Sequence, residues 1–137
     1  MPEREKIAVV AQERVAKAEN DLKNAAHTLT LGDECPTDTV CFHAQQCVEK
    51  YLKALLVMLQ IAFSRTHDIE TLVHLLPGEL QPSLAVEQQR RLTEYATVMR
   101  YPGPYEPAML QEAGEAVDCA QRVRGEIRKR LEDPSSL

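Results

Sequence analysis

The apolar residues of this chain recur at helical intervals almost from end to end. Ile7, Ala11, Val15, Ala18, Leu22, Ala25 and Leu29 follow one another by three or four residues. That spacing keeps them on one stripe of a helix running from about Arg4 to Leu29. Glu13, Lys17, Glu19, Asp21 and Lys23 fall between them and predict a solvated face. His27 near the helix end reads as a surface or cap residue. Gly32 suits a helix C-cap, Pro36 resists continuation, and Thr37 or Asp38 can cap the next helix. That second helix runs from about Asp38 to Gln60. It carries Cys41, Ala44, Val48, Tyr51, Leu52, Leu55 and Leu59 on one side. His43, Gln46, Lys50 and Lys53 form a polar strip on the other side. Such a strip is either an exposed helix face or a surface turned toward a ligand or partner.

The later elements are shorter until the last. Ser64 or Thr66 is placed to cap a short helix through Leu76, with Ile69, Leu72, Val73 and Leu76 inward, and Pro77-Gly78 ends it. Ser83 reads as the N-cap of a fourth helix with a weaker stripe of Leu84, Leu92, Tyr95 and Met99. The run Arg100-Tyr101-Pro102-Gly103-Pro104-Tyr105-Glu106-Pro107 excludes regular structure, because its prolines and glycine force turns. Its tyrosines and arginine either cover the bundle end or form a binding lip. The last helix, from about Ala108 to Leu131, is striped by Ala113, Ala116, Val117, Ala120, Val123, Ile127 and Leu131. Its acidic residues come early and its basic residues late, which suits the helix dipole. The final residues, 133–137, read as a frayed, disordered tail. With no strand-like alternation, the chain is expected to be all-α: an antiparallel up-and-down bundle of four to five helices.

Composition narrows the function. A net charge of −5 and a pI near 5.4 argue against nucleic-acid binding over the whole surface. No apolar run reaches the roughly 20 residues that span a bilayer, and the N-terminus lacks the order of a secretory signal, so a cytoplasmic location is expected. Cys35, Cys41, Cys47 and Cys119 should then be reduced thiols. Helical geometry turns Cys41 away from Cys47, leaving Cys35, His43 and Cys47 as three metal ligands at most. No metal or cofactor is therefore expected, and no phosphate loop or nucleophile elbow is present. His67, near a helix start, reads as a local cap or as an acid–base group in need of a partner.

The segment Phe42-His43-Ala44-Gln45-Gln46-Cys47-Val48-Glu49-Lys50-Tyr51-Leu52-Lys53-Ala54-Leu55-Leu56 resembles the second helix of HEPN domains (higher eukaryotes and prokaryotes nucleotide-binding), which often read F-x-A-Q-Q-A-x-E-K-x-L-K-A-L-L. Arg65-Thr66-His67-Asp68-Ile69 is similar to that family's T-H-D-[LI] turn, and Arg100-Tyr101-Pro102 to its R-Y-P element. The opening of the last helix, from Glu112-Ala113 to Ala120, resembles its E-A-x-x-A pattern. The likeness extends over roughly residues 6–131, and implies a single helical domain over 1–132, often a homodimer. It also implies a minimal nucleotidyltransferase as partner, frequently in a toxin–antitoxin pair.

Many HEPN proteins are metal-independent endoribonucleases that use an Arg followed four to six residues later by His. This chain departs from that pattern: none of His27, His43, His67 and His74 stands at that distance from a preceding arginine. The expectation is a non-catalytic module that binds a nucleotidyltransferase and a nucleotide. Its candidate ligand-binding residues are His43, Gln46, Lys50, Lys53, His67, Arg100 and Tyr101. The alternative is a ribonuclease with a rearranged site, with His67 as acid–base, Arg100 holding phosphate, and Tyr101 beside them. A purely structural homodimer is the third option.

Overall fold

A computed structural model describes residues 2–98 and 108–137. Five α-helices account for most of them: α1 (Pro2–Leu29), α2 (Thr37–Met58), α3 (Ile69–Leu75), α4 (Val86–Val98) and α5 (Leu110–Glu132). Short 3-10 turns occupy Gly32–Glu34, Gly78–Leu80 and Pro134–Ser136. The last of these lies where composition predicts a frayed tail. Met99, expected on the fourth helix, and the whole Arg100–Pro107 run lie outside the described residues. Among those residues there is no strand, and no helix is long and apolar enough to cross a membrane.

Cross-contacts fix the directions of the three longest helices. On α1 and α2, Asp21 meets His43 while Glu19 meets Tyr51 further along, so the two are antiparallel. Asp38 at the start of α2 accepts from the Ala108 amide just before α5, and Glu19 gathers Tyr51 together with Arg124 and Arg128. Helices α2 and α5 therefore run parallel across the bundle. The fully buried Ala113 and Ala120 and the nearly buried Ala116 let these two backbones approach closely.

Helix α2 is the axis of the molecule. Val40, Ala44, Cys47, Val48, Tyr51, Leu52, Leu55 and Leu56 are fully enclosed. So too is Gln45, while Glu49 and Lys53 keep 4% and 9% of their surface. The sequence pattern predicts one apolar side and one polar side. The structure instead covers α2 almost all round, with α1, α3, α4 and α5 packed against it.

Local chemistry sets the ends of the elements. Helix α2 closes through Gln60, whose φ of 57° is left-handed, with the Ile61 amide donating to the Leu56 carbonyl at 3.0 Å. Asp68, rather than Ser64 or Thr66, caps α3: its carboxylate accepts from the Thr71 amide at 3.0 Å. Thr66 acts one step earlier, accepting from the Asp68 amide at 3.0 Å. Ser83 does not cap α4. Its amide donates to Glu126 at 2.7 Å, and the Gln88 side chain reaches back to the Ala85 amide at 2.9 Å.

Candidate functional site

Two clusters of polar side chains are built around α2, the first on two carboxylates and the second on one. The first faces α1. Asp21 accepts from His43 Nδ1 at 2.8 Å and from Lys50 Nζ at 2.5 Å. Nearby on the same helix, Glu19 accepts from the Tyr51 hydroxyl, from Arg124 Nε at 2.7 Å and from Arg128 Nη1 at 2.9 Å. Burial alone would raise the pKa of Glu19, but the three donors outweigh it and hold the carboxyl below its ordinary value. The Tyr51 hydroxyl is pushed up by burial and by the neighbouring carboxylate.

The second cluster lies where α2 meets the loop before α3. Glu49 Oε1 accepts from Gln45 Nε2 at 3.0 Å and from His67 Nδ1 at 2.7 Å, and Oε2 accepts from Lys53 Nζ at 3.1 Å. Gln45 also donates to the His67 carbonyl at 3.3 Å and accepts from Gln46 Nε2 at 2.6 Å. An ionised carboxylate can only accept, so the Nδ1 atoms of His43 and His67 carry the protons in these contacts. Desolvation opposes ionisation of Glu49, yet the donors Gln45, His67 and Lys53 prevail and its pKa is lowered. Arg14 and Lys53 stand over the Phe63 ring, at 5.6 and 5.8 Å from its centroid.

The strip His43, Gln46, Lys50 and Lys53 is thus divided rather than continuous. His43 and Lys50 converge on Asp21. Lys53 and His67 converge on Glu49, and Gln46 reaches that group through Gln45. Lys53 is buried and the other three are half-buried, so the strip is not an open solvent face. The side chain of His67 keeps 43% of its surface, enough for a ligand to reach it. Arg100 and Tyr101 lie outside the described residues.

The residues that organise both clusters, Asp21, Glu19, Gln45 and Glu49, are absent from the sequence-derived candidates. One signal was available: Gln45, Glu49 and Lys53 are spaced by four on a single helix row. The pairing of Asp21 and Glu19 with α2 and α5 has no local signature, because it depends on how the helices pack.

The chemistry of the clusters is limited. Glu49 can orient the His67 imidazole, an arrangement suited to acid–base work. All four cysteines are free and buried, and burial pushes Cys41 and Cys47 up to about 12, so neither is a thiolate nucleophile at neutral pH. Among the described residues no group of three or more His, Cys, Asp or Glu side chains is arranged to hold a metal.

A helical bundle whose central helix carries carboxylate-centred polar clusters is the class of domain defined by this geometry. The chain matches the HEPN domain family over residues 11–130, and it belongs to that family. It is similar to the crystal structure of TT1696 from Thermus thermophilus, with 30% identity and a TM-score of 0.72 over 88% of this chain and 97% of that one. It is also similar to the crystal structure of ST0689, described as an archaeal HEPN homologue, with 26% identity, a TM-score of 0.65 and the same coverage. Among curated proteins nothing matches the chain.

Proposed function

We propose that this HEPN domain is a non-catalytic binding module. It would act in the cytoplasm as a homodimer and pair with a minimal nucleotidyltransferase in a toxin–antitoxin arrangement, binding a nucleotide as well. The observation that carries this reading is the internal neutralisation of the polar groups on α2. Asp21 takes up His43 and Lys50, and Glu49 takes up Lys53 and His67. Side chains committed in this way fix the helix rather than move protons on a substrate. The missing Arg–His spacing points in the same direction.

Co-purification with the product of the adjacent reading frame tests the partner, and thermal melting with added nucleotides tests the ligand. A nucleotide at 100 times its dissociation constant should add about 2.7 kcal/mol of stability, a visible shift. Separate elution together with unchanged melting for every nucleotide would sink the proposal.

A second reading is favoured by the Glu49–His67 contact at 2.7 Å. A carboxylate-oriented imidazole can take and return a proton in RNA cleavage without a metal. That reading predicts ribonuclease activity that depends on His67.

A further inference from the structure

We propose that the groove between α1 and the Lys50 side of α2 is a phosphate-binding site. The inference rests on the nucleotide-binding reading above and assigns the position of the phosphate. The groove encloses about 290 Å³ and is lined by Val10, Glu13, Arg14, Lys17 and Lys50. Arg14 and Lys17 are three residues apart on α1 and so share a face, while Lys50 projects from the facing helix.

Arg14 differs from the arginines that the bundle satisfies. Arg90, Arg124 and Arg128 are held by carboxylates, and Arg122 and Arg130 donate to backbone carbonyls. Arg14 Nε is buried with no hydrogen-bond partner. Among the described residues neither Arg14 nor Lys17 makes an ion pair. A buried donor left unmet is uncommon. Nε itself is closed to solvent, so the terminal guanidinium nitrogens, which make no hydrogen bond among the described residues, are the donors available to an acceptor in the groove. The guanidinium stands over the Phe63 ring, 5.6 Å from its centroid, a cation–π contact that holds it in place.

The chemistry of the acceptor follows from these donors. A guanidinium presents a planar fork that matches two oxygens of a phosphate, and the two ammonium groups add point charges. Asp21 offsets Lys50 and Glu13 opposes the remaining cations, so the three cations exceed the two carboxylates. This local excess stands on a chain whose net charge is −5. The groove is large enough for more than an isolated phosphate, which favours a phosphate carried by a larger molecule such as a nucleotide.

Titration calorimetry on the full chain tests the site, with pyrophosphate, ATP, a short 5′-phosphorylated RNA, and adenosine as the uncharged control. Wild type, Arg14→Gln, Lys17→Gln and the distant surface variant Lys129→Gln are compared after their melting curves confirm folding. The expected result is binding of the phosphate-bearing ligands and not of adenosine. Affinity should fall by about tenfold or more in Arg14→Gln and Lys17→Gln and stay unchanged in Lys129→Gln. Lys17 is exposed, so its variant reports on the groove even if Arg14→Gln folds poorly. Equal affinity in wild type and both groove variants would overturn the site while leaving nucleotide binding intact. Pyrophosphate binding lost in the groove variants, with no binding of ATP, would keep the site and remove the nucleotide. Tighter binding of RNA than of ATP, still dependent on Arg14, would keep the site and identify an RNA end as the source of the phosphate. No binding of any phosphate-bearing ligand would overturn both.

Discussion

Glu49 is the residue on which the second cluster depends. It is buried beside a buried lysine, and its removal would leave Lys53 without a counter-charge. Glu49→Ala should therefore destabilise the fold by about 3 kcal/mol or more. A double variant, Glu49→Leu with Lys53→Met, should recover much of that loss, because it removes both charges together. Urea unfolding midpoints of the three proteins check this, and equal losses in the single and double variants would count against the buried pair.

The same residue sets a pH dependence. Folding lowers the pKa of Glu49 below its ordinary value of 4.5, and that of Glu19 likewise. The unfolded chain then binds more protons in the acid range. The contribution of these carboxylates is complete above about pH 4.5 and is lost as the pH falls through their folded values. Stability measured from about pH 7 down to about pH 3 should decline, and the decline should be shallower in Glu49→Gln. A flat profile in the wild type would contradict the assignment.

At the scale of elements, α2 and the caps divide what the sequence reveals from what it hides. Leu52, Leu55, Val48 and Ala44 repeat at helical spacing, so their place in the core is legible from periodicity alone. The burial of Gln45, Glu49 and Lys53 is not legible in that way. Polar residues on the far side of an amphipathic helix usually face water, and here other helices cover them. The cap of α3 departs from expectation for a related reason. Thr66 and Asp68 both carry side-chain acceptors, and the backbone of Asp68, extended at φ −79° and ψ 108°, decides between them.

Gln60 offers a test of how α2 is terminated. Its left-handed backbone is costly for a residue with a Cβ and free of that cost for glycine. Gln60→Gly should raise stability by about 0.5–1 kcal/mol, read as a higher melting temperature with no change in fold. Ala120 tests the approach of α2 and α5. It is fully buried, and Ala120→Leu should cost about 1–3 kcal/mol by forcing the two helices apart, measured as a lower urea midpoint.

For the whole molecule, the fold follows from five helical segments and small residues where they cross. The antiparallel bundle expected from the pattern is what the described residues form, and the family match over residues 11–130 agrees with it. The site was only partly legible. His43, Lys50, Lys53 and His67 stand out by type, but their carboxylate partners are distant in sequence for Asp21 or hidden within the helix for Glu49. Arg14 gives no sequence signal, because its unmet donor exists only once α1 is packed. Internal pairing of these groups supports the proposal that the domain binds rather than cleaves. The most direct measurement is RNA cleavage by the purified chain in the presence of a metal chelator, with His67→Ala alongside. The expected result is no cleavage above background by either protein. Cleavage by the wild type that disappears in His67→Ala would contradict it and establish the Glu49–His67 pair as a catalytic site.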